Sequence, residues 1–262
     1  MNVGILGCGT IGRALARGLL SHPRVARVAA TTRTPRAHFP DLPELVALES
    51  NNELAATSDV IVLCVKPSQM EGVVREIAGE LQPDVLLISI AAGVSTAAVR
   101  GWSTKKCGVV RAMPNMPCRI REGMSALAPG DGATGEDLET ARDLFSTLGR
   151  VCTVEERLMD AVTAISGCGP AYVYLIIEAL AEAGVSLGVP RATALELAAQ
   201  TLRGAATMVL TSGAHPAALR DEVTTPGGCT IDGLLALEDG GLRSTLVRAV
   251  AAAAARSAQL AG

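Results

Sequence analysis

Residues 3–12 read VGILGCGTIG, and this stretch decides the fold of the chain. An apolar run over 1–6 predicts a strand. Glycines follow at Gly7, Gly9 and Gly12, and an amphipathic pattern over 10–21 predicts a helix. A G-x-G-x-x-G placed between strand and helix is the fingerprint of a dinucleotide-binding β-α-β unit. Gly7 makes the tight turn, Gly9 leaves room for a pyrophosphate, and Gly12 lets the helix lie close to the strand. The candidate phosphate loop is therefore Leu6, Gly7, Cys8, Gly9, Thr10, Ile11 and Gly12.

Working outward, strands are predicted over 25–31, 59–65, 85–90, 109–112, 124–128 and 151–154. Helices are predicted over 69–80, 95–100 and 136–146, with a short helix or turn over 41–48. The run DVIVLCV at 59–65 is apolar throughout, as a strand buried on both faces should be. This alternation predicts right-handed β-α-β units and a mostly parallel α/β sheet of Rossmann type over 1–154. Beyond it, helical spacing takes over at 159–166, 170–187, 191–212, 216–221, 230–237 and 241–260, so 155–262 reads as an all-helical domain. Its helices are apolar nearly all round. Such helices must be buried, and an oligomer interface is one way to bury them.

Composition narrows the function. The formal net charge is −3 and aromatics are 2% of the 262 residues, so neither phosphate neutralisation nor base stacking is supported and no nucleic-acid partner is expected. Asp59, Glu178, Glu182 and Arg248 interrupt the longest apolar runs, so no membrane span is expected. The chain enters a strand at once with no basic leader, so no signal peptide is expected. The seven cysteines are scattered without a C-x-x-C pair and histidines number three. That argues against a metal site and suits reduced thiols in the cytoplasm.

The second strand ends in TTRT at 31–34. An NAD-preferring site usually carries an acid there for the ribose 2′-OH. Thr32 and Arg33 suit a 2′-phosphate instead, which favours NADPH over NADH. Far from this loop, residues 222–238 read EVTTPGGCTIDGLLALE. A Pro-Gly-Gly turn before an apolar helix gathers free N–H donors at a positive dipole end. Two readings are open: a small-anion site, or a capping turn that binds nothing.

Taken together, the chain resembles the pyrroline-5-carboxylate reductase family from GILGCGTIG to the C-terminus. The blocks that carry the resemblance are DVIVLCVKP, ISIAAGVS, VVRAMPNMP, SGCGPAYVY, GAHPAALRDEVTTPGGCTIDGLLALE and GLRSTLVRAV. The resemblance implies reduction of L-1-pyrroline-5-carboxylate to L-proline, the last step of proline synthesis. It implies that Asn51 meets the cofactor's adenosine end and that Val65, Lys66 and Pro67 form a loop beside the cofactor. Ala91 and Ala92 would lie near the nicotinamide. Thr225, Gly227, Gly228, Cys229 and Thr230 would hold the substrate, with Glu156 an acidic residue close to it. It also implies a homodimer with shared sites, and higher assemblies up to a decamer. The chain departs from the family at Cys168, where serine is usual, at Cys229, where threonine or alanine is usual, and at Ser68, where glutamine is frequent.

On this reading, N–H groups of 227–230 hold the substrate carboxylate and the Thr230 hydroxyl, the candidate catalytic group, bonds the ring nitrogen. No histidine is placed as an acid, so positioning and electrostatics carry the catalysis. Lys66 either orients the nicotinamide amide or a water, or is a loop lysine only. A β-hydroxyacid dehydrogenase of similar build relies on a lysine in its helical half, and this chain has none after Lys106.

Overall fold

The computed structural model describes residues 1–32, 39–103 and 107–259. The chain divides into two compact units, Met1–Cys168 with Ala251–Gly262, and Gly169–Val250. This differs from the expected boundary at 154. Residues 156–168 do not leave the sheet domain, because Met159 is fully buried against Met113, Ala126 and Ala128. Asp160 is likewise held from the C-terminal helix, accepting a hydrogen bond from Ser257 Oγ at 2.8 Å.

The first unit is built on an eight-stranded sheet. Strands β1 (Asn2–Leu6), β2 (Arg27–Thr31), β3 (Val46–Leu48), β4 (Val60–Leu63), β5 (Leu86–Ser89), β6 (Gly108–Met113), β7 (Gly123–Pro129) and β8 (Gly149–Thr153) lie in the order β3-β2-β1-β4-β5-β6-β7-β8. All pairs are parallel except β6–β7. The first six follow the Rossmann order, with the topological switch point between β1 and β4.

Both faces of the sheet are covered, which is why the central strands are apolar without alternation. On one face α1 (Thr10–Leu19) and α5 (Gly135–Ser146) bring Leu15, Leu19, Leu144 and Phe145 against Ile5, Val62 and Ile88. On the other, α2 (Asn51–Ala56) and α3 (Pro67–Ile77) bring Leu54, Met70, Val74 and Ile77 against Leu6, Ile61 and Leu87. Helix α4 (Thr96–Ser103) adds Val99 to this second layer.

Two local expectations change. Part of 41–48 is an edge strand, with Val46 paired to Ala29, rather than a helix or turn. Three residues are too few to show a period, and the pairing that defines them comes from β2. Helix α2 was not expected at all, although its start was written in the sequence. Ser50 caps it by accepting from the Glu53 N–H at 3.3 Å, in the S-x-x-E pattern of a capping box.

The second unit is helical. It contains α7 (Gly169–Ser186), α8 (Arg191–Ser212), α9 (Pro216–Glu222), α10 (Cys229–Asp239) and the start of α11 (Leu242–Gln259). A short helix, α6 (Met159–Val162), and a π turn over Thr163–Gly167 precede them in the first unit. Small residues let α7 and α8 approach: a Cβ on Gly184 would sit 3.1 Å from the Ala194 methyl. Little of the apolar surface is buried within one chain. Tyr174 is 61% exposed, Leu175 65% and Met208 52%.

The expectation that no apolar run is long enough for a membrane is corrected. The continuous helical stretch Glu156–Ser186 has the length and composition of a span, with mean hydropathy 1.4 and 11% of its most apolar window buried. Glu178 and Glu182 do not break an eighteen-residue apolar window along it.

Candidate functional site

The Gly-rich loop leaves β1 and lines an open groove of about 420 Å³ with residues from the ends of β2 and β4 and the start of α3. Gly7 has φ +91°, and a Cβ there would meet the Cys64 carbonyl oxygen at 2.9 Å. The turn is therefore closed to other residues. It is held by two N–H groups, of Gly7 and Cys8, both donating to the Thr31 carbonyl at 3.1 Å. A Cβ on Gly12 would sit 2.8 Å from the Gly7 oxygen, which is the helix-to-loop packing expected of it. Gly9 is different. Nothing lies within 4 Å of where its Cβ would be, so the space beside its backbone is free for a ligand. Helix α1 starts here without a side-chain cap. The N–H groups of Thr10, Ile11 and Gly12 thus lack intrahelical partners and face the loop's mouth with the helix dipole behind them. These features fit a pyrophosphate.

Leu6, Gly7, Cys8, Gly9, Thr32, Asn51, Val65 and Lys66 line this groove. Lys66 is exposed and serves as the N-cap of α3 through its backbone, with Pro67 in the first turn. Arg33 lies outside the described residues. Ala91 is buried and Ala92 half-buried at the end of β5, where Ala92 packs on Met113 and Ala126.

Two thiols lie in the groove wall. Burial pushes the Cys8 thiol up to about 11, an effect that Arg13 opposes and Asp41 assists. Burial also pushes Cys64 well above the ordinary thiol range, and Cys8 adds to it. Both are therefore neutral at pH 7, so neither places a negative charge beside a phosphate.

Glu156, which the resemblance places near the substrate, has partners within the first unit. Its Oε1 accepts from the Thr96 N–H at 2.7 Å and its Oε2 from the Thr96 hydroxyl at 2.6 Å. It thereby satisfies the start of α4. It also stands 4.0 Å from the guanidinium of Arg111, which is 6% exposed, with Asp160 on the other side at 3.6 Å. Glu156 neutralises a buried arginine and caps a helix within the first unit.

In the second unit, the Thr225–Gly228 segment is a tight turn closed by the Gly228 N–H donating to the Thr225 carbonyl at 3.0 Å. Pro226 precedes Gly227, whose φ is +68°, so the turn is type II. A Cβ on Gly228 would come within 2.4 Å of Thr225 Oγ1. The missing side chain at Gly228 thus makes room for Thr225, rather than only for a ligand. Helix α10 follows without a side-chain cap. Thr225, Gly227 and Cys229 are exposed, and Thr230 is half-buried. His215 accepts from the Ala217 N–H at 3.2 Å and so caps α9.

A family model described as pyrroline-5-carboxylate reductase dimerisation matches residues 156–260. One described as NADP oxidoreductase, coenzyme F420-dependent, matches residues 2–93. The pyrroline-5-carboxylate reductase of Pisum sativum is 40% identical over 98% of this chain and 95% of its own length. That of Corynebacterium melassecola is 40% identical over 98% of each. The chain belongs to the pyrroline-5-carboxylate reductase family. Solved members superpose along the whole chain. The Plasmodium falciparum enzyme, with NADP bound, is 33% identical with a TM-score of 0.89, covering 100% of this chain and 98% of that one. The Coxiella burnetii enzyme gives 0.91 at the same identity and coverage.

The sequence had not pointed to four contributors to the groove. Thr31 lines it at the end of β2, Cys64 just after β4, and Gln69 and Val73 from α3. Gln69 and Val73 stand four apart on a helix expected over 69–80, so their shared face was legible. That it would face the cofactor loop was not.

Proposed function

We propose that this chain reduces L-1-pyrroline-5-carboxylate to L-proline with NADPH as the preferred donor and NADH as a weaker one. The observation that carries the reading is the uncapped start of α10 behind the Pro226-Gly227 turn, in a chain alike over 98% of its length to named reductases. The first unit supplies the cofactor cradle, with Gly9 and the α1 N-terminus for the pyrophosphate. When bound, the dinucleotide supplies a hydride. The second unit supplies N–H donors at 228–230 for the substrate carboxylate, strengthened by the helix dipole. The Thr230 hydroxyl steadies the ring nitrogen as the C=N bond becomes an amine. An NADPH oxidation assay with pyrroline-5-carboxylate, against no-substrate controls and against the carbonyl acids that a β-hydroxyacid dehydrogenase would reduce, tests the reading. NADPH oxidation with such a carbonyl acid and none with the imine would overturn it.

Thr230→Val is expected to lower turnover while leaving NADPH affinity unchanged. Valine keeps the branched shape, so only a hydroxyl is lost. One hydrogen bond at a developing amine is worth about 1–3 kcal/mol, or roughly tenfold to a hundredfold in rate. Wild-type turnover in the folded variant would reduce Thr230 to a helix-start residue.

The apolar faces of α7 and α8 support a homodimer, and stacking of such dimers up to a decamer is part of the proposal. Sedimentation is expected to show at least a dimer at assay concentration. A fully active monomer would refute it. The free state of all seven cysteines accords with a reducing cytoplasm, where we place the enzyme.

A further inference from the structure

A polar chain runs out of the cofactor groove into α3. The Thr31 hydroxyl donates to Asn51 Oδ1 at 2.8 Å, and Asn51 Nδ2 donates to Glu76 Oε2 at 3.0 Å. Thr31 and Asn51 line the groove, whereas Glu76 is exposed on α3 behind them. The carboxylate end sets the direction of the whole chain. An ionised carboxylate accepts only, so the amide must present its NH₂ to Glu76. Its oxygen then faces Thr31, and Thr31 must donate to it. Thr31 Oγ1, whose one proton is spent on Asn51, can then only accept from anything else it meets. An acceptor suits a ribose hydroxyl and not a phosphate oxygen. The same carboxylate stands one amide away from the groove and repels a second negative charge placed there.

We propose that Glu76 is a positioning residue for cofactor choice: it fixes the Asn51 amide, and its charge opposes a 2′-phosphate at the adenosine end. The inference rests on the dinucleotide reading of the groove. It gives the chain two opposed determinants. Thr32 and Arg33, which follow β2, are expected from the sequence to favour the 2′-phosphate, and Glu76 limits how far that preference goes. Cofactor choice is then a balance between the two, adjustable at a residue outside the groove.

The test is calorimetric titration of the full-length protein with 2′-phospho-ADP-ribose and with ADP-ribose, which lack the nicotinamide and report the adenosine end alone. In Glu76→Gln the preference for the phosphorylated fragment, as a ratio of Kd values, is expected to rise about threefold to tenfold. The gain should shrink in 0.5 M salt, because the groove is open to solvent and its charges are screened. Glu76→Asp keeps the charge and is expected to hold the ratio near the wild-type value. A purely structural Glu76 would change melting temperature and leave the ratio untouched, and an unchanged ratio in folded Glu76→Gln overturns the proposal. Equal tightening of both fragments overturns it as well. If the wild type binds neither fragment, the groove is not a dinucleotide site and the earlier reading fails first.

Discussion

Gly9→Val is expected to abolish NADPH binding at working concentrations while the protein melts as the wild type does. The two halves of this result come from one geometric fact. No atom lies within 4 Å of the Gly9 Cβ position, and the backbone there has φ −77°, which any residue adopts. The fold therefore loses nothing by the substitution. A pyrophosphate loses its approach to the N–H groups of the α1 start. Two charge-assisted hydrogen bonds at about 1.5–3 kcal/mol each put the loss near a hundredfold or more. Fluorescence titration with NADPH, beside thermal melting, reads both halves. Gly7→Ala makes the contrast, since it combines a positive φ with a contact to the Cys64 carbonyl and should destabilise the fold itself. Undiminished NADPH affinity in Gly9→Val would remove the pyrophosphate from this groove.

Glu156→Ala is expected to lower stability by about 2–4 kcal/mol, as a buried ion pair broken on one side does after allowing for its partial exposure. In melting temperature that is roughly 5–15 °C. The carboxylate leaves behind an unpaired Thr96 N–H at the start of α4. It also leaves a buried Arg111 whose Nε and one NH₂ nitrogen already lack hydrogen-bond partners. Urea unfolding and steady-state kinetics separate this role from the substrate contact that the resemblance implied. A rise in the Michaelis constant for pyrroline-5-carboxylate with unchanged stability would assign Glu156 to the substrate instead.

The comparison of these two residues shows what kind of information a sequence holds. Gly9 was legible because its meaning lies in a window of a few residues: strand, turn, helix start. The turn at Pro226-Gly227 was legible for the same reason. Glu156 was not, because its partner Thr96 lies 60 positions away. Asn51 was assigned to the cofactor by resemblance, yet the orientation of its amide depends on Glu76, 25 positions on. Edge strand β3 escaped because three residues carry no period, while α2 escaped despite the S-x-x-E pattern at Ser50 and Glu53.

By itself, the sequence determined the parallel sheet with its phosphate loop, the change to helices near residue 155, and the turn that precedes α10. Each follows from apolar periodicity and from the few residues that tolerate a given backbone turn, and both act over short range. The tertiary structure alone decided that 156–168 stay with the sheet, that Glu156 serves Arg111 and Thr96, and that Glu76 stands behind Asn51. A buried charge must find a counter-charge wherever the fold brings one within reach, and that choice is made between segments distant in sequence.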